Sequence, residues 1–324
     1  MATVSPRLQG LRTAWNVPDD NSILVDLVKA SGILQTALVL PSNAGPKHKY
    51  KLHNTLPAAS FRNMGGAITP SLTSTDSAEL DLWILESMAE YDYQYIDNYP
   101  GGRLGWLADN MPAYLEGMGQ SWAKQVIYGG TGLAAATTGF VGLHAYAKAL
   151  GNVSATLSLG GASGHSTSIF CVRWNDFDGA SIRINPSNVN RELINVAEMN
   201  GGSVYTVTGS ASTERLNVYG WLINAYNTLV IPSKKSVAAM TQIDSTHKPT
   251  VATMEELVKT VYAPTGQKFI YCNLDGLAYI NELKGAKLSM YTESNDYDTA
   301  LGYWAGIPII VDENILSTET SAID

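Results

Sequence analysis

The chain is short of charge. Asp, Glu, Lys and Arg make up 15% of its 324 residues, where a soluble domain averages about 25%. Obligate protein interfaces are depleted in Lys, Glu and Asp and enriched in aromatic residues and Met. With 17 Tyr, 7 Trp and 29 Gly present, the composition points to a surface that largely meets other protein. A monomer rich in Gly, Ala and Thr is the plainer alternative. Positive charge is scarcer than negative, at 21 Lys and Arg against 29 Asp and Glu, a net −8. The basic runs are the cluster Lys47, His48, Lys49, Lys51 and the pair Lys234-Lys235. Tight binding of a phosphate backbone needs a stripe of such residues, so that function is excluded.

Cysteine is almost absent. Cys171 and Cys272 stand alone in the apolar runs SIFCVRW and FIYCN, which excludes a zinc-finger spacing or a disulfide framework and predicts two small buried hydrophobes. Residues 1–15 lack the apolar core of a signal peptide. The charge-free stretch between Lys124 and Lys148 holds five Gly, three Thr and His144. It reads as a loop with short helices, not a membrane span.

What is present begins with an extended ribbon from Lys47 to Tyr99. It turns at Met64-Gly65-Gly66 and returns through Asp76, Glu79, Asp81 and an alternating run about Trp83, Leu85, Ala89, Tyr91, Tyr93 and Tyr95. Period-two alternation predicts half-buried strand. An isolated hairpin is marginal in water, so the ribbon is expected to lie on something else. Before it, the first twenty residues read as a loose arm, with a short helix over Ile23 to Val28 and an apolar run from Ile33 to Leu40.

After Pro100-Gly101-Gly102, the spacing of Leu104, Leu107, Met111, Tyr114, Leu115, Met118, Trp122 and Val126 predicts an amphipathic helix that stops at Gly129-Gly130. Pro112 leaves two versions open: a long kinked helix, or one capped by Asn110 and starting near Met111. The second half reads mainly as strand. Ser168–Trp174 and Ala180–Asn185 flank Asn175-Asp176-Phe177-Asp178-Gly179, a hairpin signal. Further strands are expected at Ser203–Thr208, Arg215–Tyr219, Leu222–Ile231, Lys268–Cys272 and Ile307–Val311. Helices are expected at Thr253–Tyr262, with a Thr253-x-x-Glu256 capping box, and from about Asp275 to Leu283.

Candidate chemistry dissolves on inspection. Gly130-Thr131-Gly132 follows a helix where a dinucleotide fingerprint follows a strand. Ser163 and His165 in GGASGHS lack the nucleophile elbow. Asp176 and Asp178 lack the rest of a calcium loop. His48, His53, His144, His165 and His247 are scattered, and Glu86, Glu90, Asp92 and Asp97 read as an outward strand face. No catalytic residue, cofactor site or metal site is assigned.

Four segments in order carry a resemblance: LPAASFRNMGGAITPSLTSTDSAEL (Leu56 to Leu80), MPAYLEGMGQSWAKQVIYGG, TSIFCVRW (Thr167 to Trp174) and YWAGIPIIVDENIL. Together they span about residues 45–315. The set resembles the major capsid proteins of tailed phages, specifically the Epsilon-15-like group. The resemblance implies an α+β, Hong-Kong-97-type capsid fold. Its expected parts are an N-terminal arm over 1–44, an extended β-hairpin loop over 45–99, a peripheral domain with a spine helix over 100–215, closed by the strand 303–324, and an axial domain over 216–302. Pro112, Gly117 and Gly119 depart from the family's spine helix, and Gly220–Ile231 lacks its Arg/Asp alternation. The isopeptide cross-link of one branch of this fold is not implied.

The implied function is self-assembly, as hexamers and pentamers, into the icosahedral shell around a tailed-phage genome, without enzymatic activity. Expected partners are scaffolding, portal and decoration proteins, with scaffolding supplied by another protein. Packaged DNA lies nearby without specific binding, and no membrane is involved. The expected place is the virion, after assembly in the host bacterial cytoplasm. Candidate inter-subunit contacts are Lys47, Lys49 and Lys51, set against Asp76, Glu79 or Asp81 of an adjacent subunit, together with Phe61, Arg62 and Trp83. Simple solvation is the plain alternative for the lysines. The competing functions are another virion component of tail or decoration type, and a cytoplasmic enzyme with an unrecognised site.

Overall fold

The computed structural model describes residues 31–55, 57–99, 101–130, 139–149, 156–185, 194–208, 215–233, 235–261, 266–283, 288–289 and 300–319. Residues 1–30 of the expected arm, with its expected short helix, lie outside them. The chain opens with helix α1 (Gly32–Thr36) and strand β1 (Val39–Pro41), then β2 (Lys47–Thr55), β3 (Ser74–Asp81) and β4 (Trp83–Asp92). Helices α2 (Tyr93–Asp97), α3 (Gly102–Tyr128) and α4 (Leu143–Ala149) follow. Next come β5 (Thr156–Ser158), β6 (Thr167–Trp174), β7 (Ser181–Ile184), β8 (Asn195–Glu198), β9 (Tyr205–Thr208), β10 (Arg215–Val230) and β11 (Val237–Ile243). The chain ends with α5 (Val251–Thr260), β12 (Gln267–Cys272), α6 (Leu274–Glu282), β13 (Leu288–Ser289), β14 (Ala300–Trp304) and β15 (Ile307–Val311).

Three sheets organise these elements. β2 and β3 form a two-stranded ribbon. A six-stranded sheet is built on the 16-residue strand β10, with β4 along one flank and β9, β8 and β7 in turn along the other; β1 lies outside β7. A seven-stranded sheet runs β13-β14-β15-β12-β6-β11-β5. β6 lies inside it, between β12 and β11, and is buried at every residue. Its side chains alternate: Phe170, Val172 and Trp174 join one core, Ile169 and Cys171 the other. A continuous apolar run is what a strand covered on both faces requires.

α3 is one continuous helix of 27 residues with Pro112 in its interior, so the long version is correct and the start near Met111 is not. At 1.5 Å per residue it is about 40 Å long. Gly101, at φ +82, makes the entry, and the Gly129 amide closes the end on the Gln125 carbonyl at 2.9 Å. Asn110 is not a cap; its side-chain amide donates to the Trp106 carbonyl at 2.9 Å within the helix. Packing overrides the proline. Trp106, Leu107, Met111, Leu115, Met118, Trp122 and Val126 are all buried, at roughly 2 kcal/mol each against about 3 for Pro112. Trp106 stacks on Trp221 of β10 at 5.0 Å and meets Tyr91 of β4 at 4.6 Å. Gly117 lies exposed on this helix with open space where a Cβ would stand. Gly117→Ala is therefore expected to raise stability by about 0.5–1 kcal/mol, read as a higher urea midpoint; a lower midpoint would show contacts that the subunit alone does not have.

Other expectations need correction. The run from Trp83 is not the return of the ribbon: β3 ends at Asp81, and β4 pairs with β10 from Trp83↔Asn227 to Asp92↔Val218. Its alternation reflects a sheet with α3 on one face, where Ala89 is buried. The strands expected at Arg215–Tyr219 and Leu222–Ile231 are one strand, because Gly220 continues it. A Cβ there would lie 2.1 Å from the Tyr205 hydroxyl, so glycine makes room for that ring. β6 and β7 do not form a hairpin. The chain passes from the seven-stranded to the six-stranded sheet between them, and two hydrogen bonds, Asn175 amide to Ala180 carbonyl (3.2 Å) and Ala180 amide to Arg173 carbonyl (2.8 Å), mark the crossing. α5 begins at Val251, with Thr250 as its cap and Thr253 as the reciprocal partner at 3.2 and 2.8 Å, so Thr253 is not itself the cap. The segment from residue 303 contributes the end of β14 and all of β15 to the seven-stranded sheet.

The C-terminal strand also holds the start of the described chain. Beyond β15, the buried Asp312 carboxylate accepts from the Ile33 amide (2.9 Å) and the Ser31 hydroxyl, and from the Asn314 amide and side chain (both 2.9 Å). Gly32 permits the approach: a Cβ there would stand 2.6 Å from the Val311 carbonyl oxygen.

Candidate assembly interface

The ribbon is where the sequence-predicted contact residues fall, Trp83 excepted, and it pairs Lys47 and Lys49 with Glu79 and Asp81 within one chain. The β2–β3 register sets Lys47 opposite Asp81 and Lys49 opposite Glu79. The Lys47 ammonium reaches Glu79 at 2.7 Å and Asp81 at 3.3 Å, and Lys49 reaches Glu79 at 2.9 Å. Hydrogen bonds from Lys47 and then Lys49 hold the Glu79 carboxyl down to about 2, and Glu79 in turn raises Lys47. Lys51 faces Ser77, and Asp76 faces Leu52, one step further along the strands. Opposite charges directly across an antiparallel pair stabilise its register.

Beyond the strands lies a tip with apolar side chains turned to solvent. Phe61 and Met64 are fully exposed, and Leu72 is 88% exposed. The turn expected at Met64-Gly65-Gly66 is present: the Gly66 amide donates to Asn63 at 3.0 Å, and the Arg62 guanidinium to the Gly66 carbonyl at 2.8 Å. Nine residues of strand carry this tip about 30 Å from the root.

Trp83 is not on the ribbon. With Ile84, Leu85, Ser121, Trp122, Gln125, Gly139, Phe140 and Asn227 it lines an open apolar cavity of about 340 Å³ between β4 and α3. Among the described residues no ionisable side chain faces it. Ile84 and Met88 are about half exposed on the outer face of β4.

One feature is invisible in the spacing of residues: the crossing between β6 and β7. Arg173, wholly buried, donates to the Asp178 carboxylate (2.9 Å) and carbonyl (2.8 Å). Arg183 donates to the Asp176 carboxylate (2.8 Å) and carbonyl (3.0 Å). The two Asp residues thus serve arginines, not a metal. Between them Phe177 stands 87% exposed.

Among the described residues the remaining groups form no catalytic arrangement. Cys171 and Cys272 are buried free thiols, pushed up to about 12 by burial. Among the described residues no cluster of three His, Cys, Asp or Glu can hold a metal ion, and no helix is long and apolar enough to cross a membrane. His247 bonds Asp244 at 3.0 Å, but that carboxylate is occupied by the Ala162, Thr246 and His247 amides, which pull it well below the usual range.

The fold is that of a tailed-phage capsid subunit, the Hong-Kong-97 type. The chain is similar to a solved cryo-EM structure of bacteriophage Epsilon15 at 18% identity, covering 89% of this chain and 88% of that one, with a TM-score of 0.60. It is also similar to a chain of the bacteriophage JBD30 capsid decorated with minor capsid protein trimers, at 13% identity over 88% and 90% of the two chains, with a TM-score of 0.51. The model of the family "Major capsid protein GP7" matches residues 19–323, so the chain belongs to that family of shell-forming virion proteins. No curated protein sequence matches it.

Proposed function

We propose that this subunit closes into an icosahedral shell of hexamers and pentamers around a tailed-phage genome, and that it acts mechanically, without enzymatic activity. The observation that carries this reading is the ribbon, which holds Phe61, Met64 and Leu72 in solvent, far from any core of its own chain. Each ribbon lies across a neighbouring subunit. Many modest contacts then act together, because each bound edge raises the effective concentration of the next. Residues 45–81 are the extended loop. α3 with the six-stranded sheet is the peripheral domain, and the seven-stranded sheet with α5 and α6 is the axial domain. Scaffolding and portal proteins serve assembly in the bacterial cytoplasm. Decoration proteins bind the finished shell, as minor capsid protein trimers do in the JBD30 relative. The net charge of −8 favours DNA held without specific contacts.

The lysines acquire a sharper role than an ion pair to a neighbour. Within the chain Lys47 and Lys49 zip the ribbon's root, so replacing Lys47, Lys49 and Lys51 by Glu sets like charges across the strands from Glu79 and Asp81. The expected outcome is loss of shells with the thermal unfolding of the subunit unchanged within a few degrees, read by electron microscopy beside calorimetry. Particles of normal yield from this variant would contradict the ribbon's role.

A further inference from the structure

The crossing loop Asn175–Gly179 is built to hold one aromatic ring still. The carbonyl and carboxylate of Asp176 are both bound by Arg183, and those of Asp178 by Arg173. The Ser236 hydroxyl adds a bond to the Asp178 carbonyl at 2.7 Å, and the Asn175 side chain one to its carboxylate at 2.9 Å. Gly179 closes the turn so tightly that a Cβ would lie 2.4 Å from the Asn175 amide nitrogen. A largely buried arginine is committed to each side of a residue that touches almost nothing. Interfaces concentrate their energy in such rigid aromatic anchors, because little conformational freedom is left to lose on binding.

We infer that Phe177 is an inter-subunit anchor, which inserts into the apolar cavity beside Trp83, Trp122 and Phe140 of a second copy of this chain. This rests on the shell-forming reading, under which copies meet. A cavity of about 340 Å³ accommodates a phenyl ring, and among the described residues no ionisable side chain lines it. The knob brings no uncompensated charge, since Asp176 and Asp178 are already paired with arginines. Phe177 is pinned outward, at 87% exposure, so the ring that enters the cavity comes from another molecule. Phe61 on the ribbon tip is the rival occupant, but no buried side chain braces its loop among the bonds Arg62 to Gly66, Gly66 to Asn63 and Ser71 to Ala58. Contact between two different patches is heterologous, the kind that propagates through rings and shells.

The test places p-benzoylphenylalanine at position 177, assembles shells from mixed isotope-labelled and unlabelled subunits, and irradiates them. The expected result is mixed-label cross-links to peptides containing Trp83–Leu85 or Ser121–Gln125. Cross-links to the ribbon or another surface, cross-links within one subunit, or none, overturn the inference. Independently, Phe177→Ala and the cavity-filling Ser121→Phe are each expected to raise the concentration needed for assembly roughly tenfold, and the double variant to be no worse than either. Assembly of Phe177→Ala at the wild-type concentration overturns the anchor. If wild-type protein forms no shell under any condition, the shell reading fails and the inference falls with it; if it does and labelling occurs elsewhere, only the inference fails.

Discussion

Replacing Asp312 by alanine is expected to remove about 3–5 kcal/mol of stability, a large share of what holds any domain together. The carboxylate is 2% exposed and accepts from the Ile33 amide, the Ser31 hydroxyl and both nitrogens of Asn314. Alanine leaves all of these donors in a site where water does not reach them. Ser31 is the cap of α1: its hydroxyl accepts from the Leu34 amide and its carbonyl from the Gln35 amide, so the clamp fixes the first turn of a helix of five residues. The clamp joins residues some 280 apart in sequence, so its loss is expected to free the start of the chain from β15. The measurement is the urea midpoint, with amide exchange over residues 31–37. A shift under about 1 kcal/mol, or unchanged protection of that segment, would show that the clamp is incidental.

The second large effect is pH-dependent. Glu319 is nearly buried, accepts from Ser168 and Tyr128 at 2.5 Å each, and pairs its backbone with Ser166. Burial raises its carboxyl to about 7, although both hydroxyls pull the other way. An unfolded glutamate ionises near 4.5. Between those values the folded protein keeps a proton that the unfolded chain has released, so the contribution is full below about 4.5 and lost as pH rises to about 7. The difference amounts to roughly 3 kcal/mol. Glu319→Gln has nothing to ionise, and the hydroxyls of Ser168 and Tyr128 can reorient to meet its amide. Denaturant midpoints of the two proteins at pH 5 and pH 8 are expected to diverge, with the wild type losing stability relative to the variant at pH 8. Parallel pH profiles would show that Glu319 ionises as freely folded as unfolded.

Much of this architecture is legible in the residues. The three-and-four spacing from Leu104 to Val126 gave α3, and the apolar runs around Cys171 and Cys272 gave two buried strands. What failed did so for non-local reasons. The alternation of β4 shows a strand with one buried face, yet cannot say that its partner is β10 and not β3. The Asp-Gly at 178–179 marks a tight turn, but whether its flanks pair depends on Arg173 and Arg183, which draw the chain from one sheet to another. β11 was missed because Val237–Ile243 mixes Ala, Met, Thr and Gln in a strand buried on both sides, with little alternation to read. Charge complementarity across the ribbon was visible as opposite signs on two segments; that the pairs form inside one chain needed the register Lys47↔Asp81. The cavity carries no sequence signal, since its lining comes from residues distant in the chain, and the turn signal at Phe177 does not say that two arginines brace it.

The central claim is that this chain builds a closed shell from copies of itself. Negative-stain electron microscopy of the purified protein, expressed alone and concentrated, tests it most directly. Closed particles, or rings of five and six subunits, are the predicted result. Tubes, or a compact monomer that stays monomeric at every concentration and with scaffolding protein added, would contradict it.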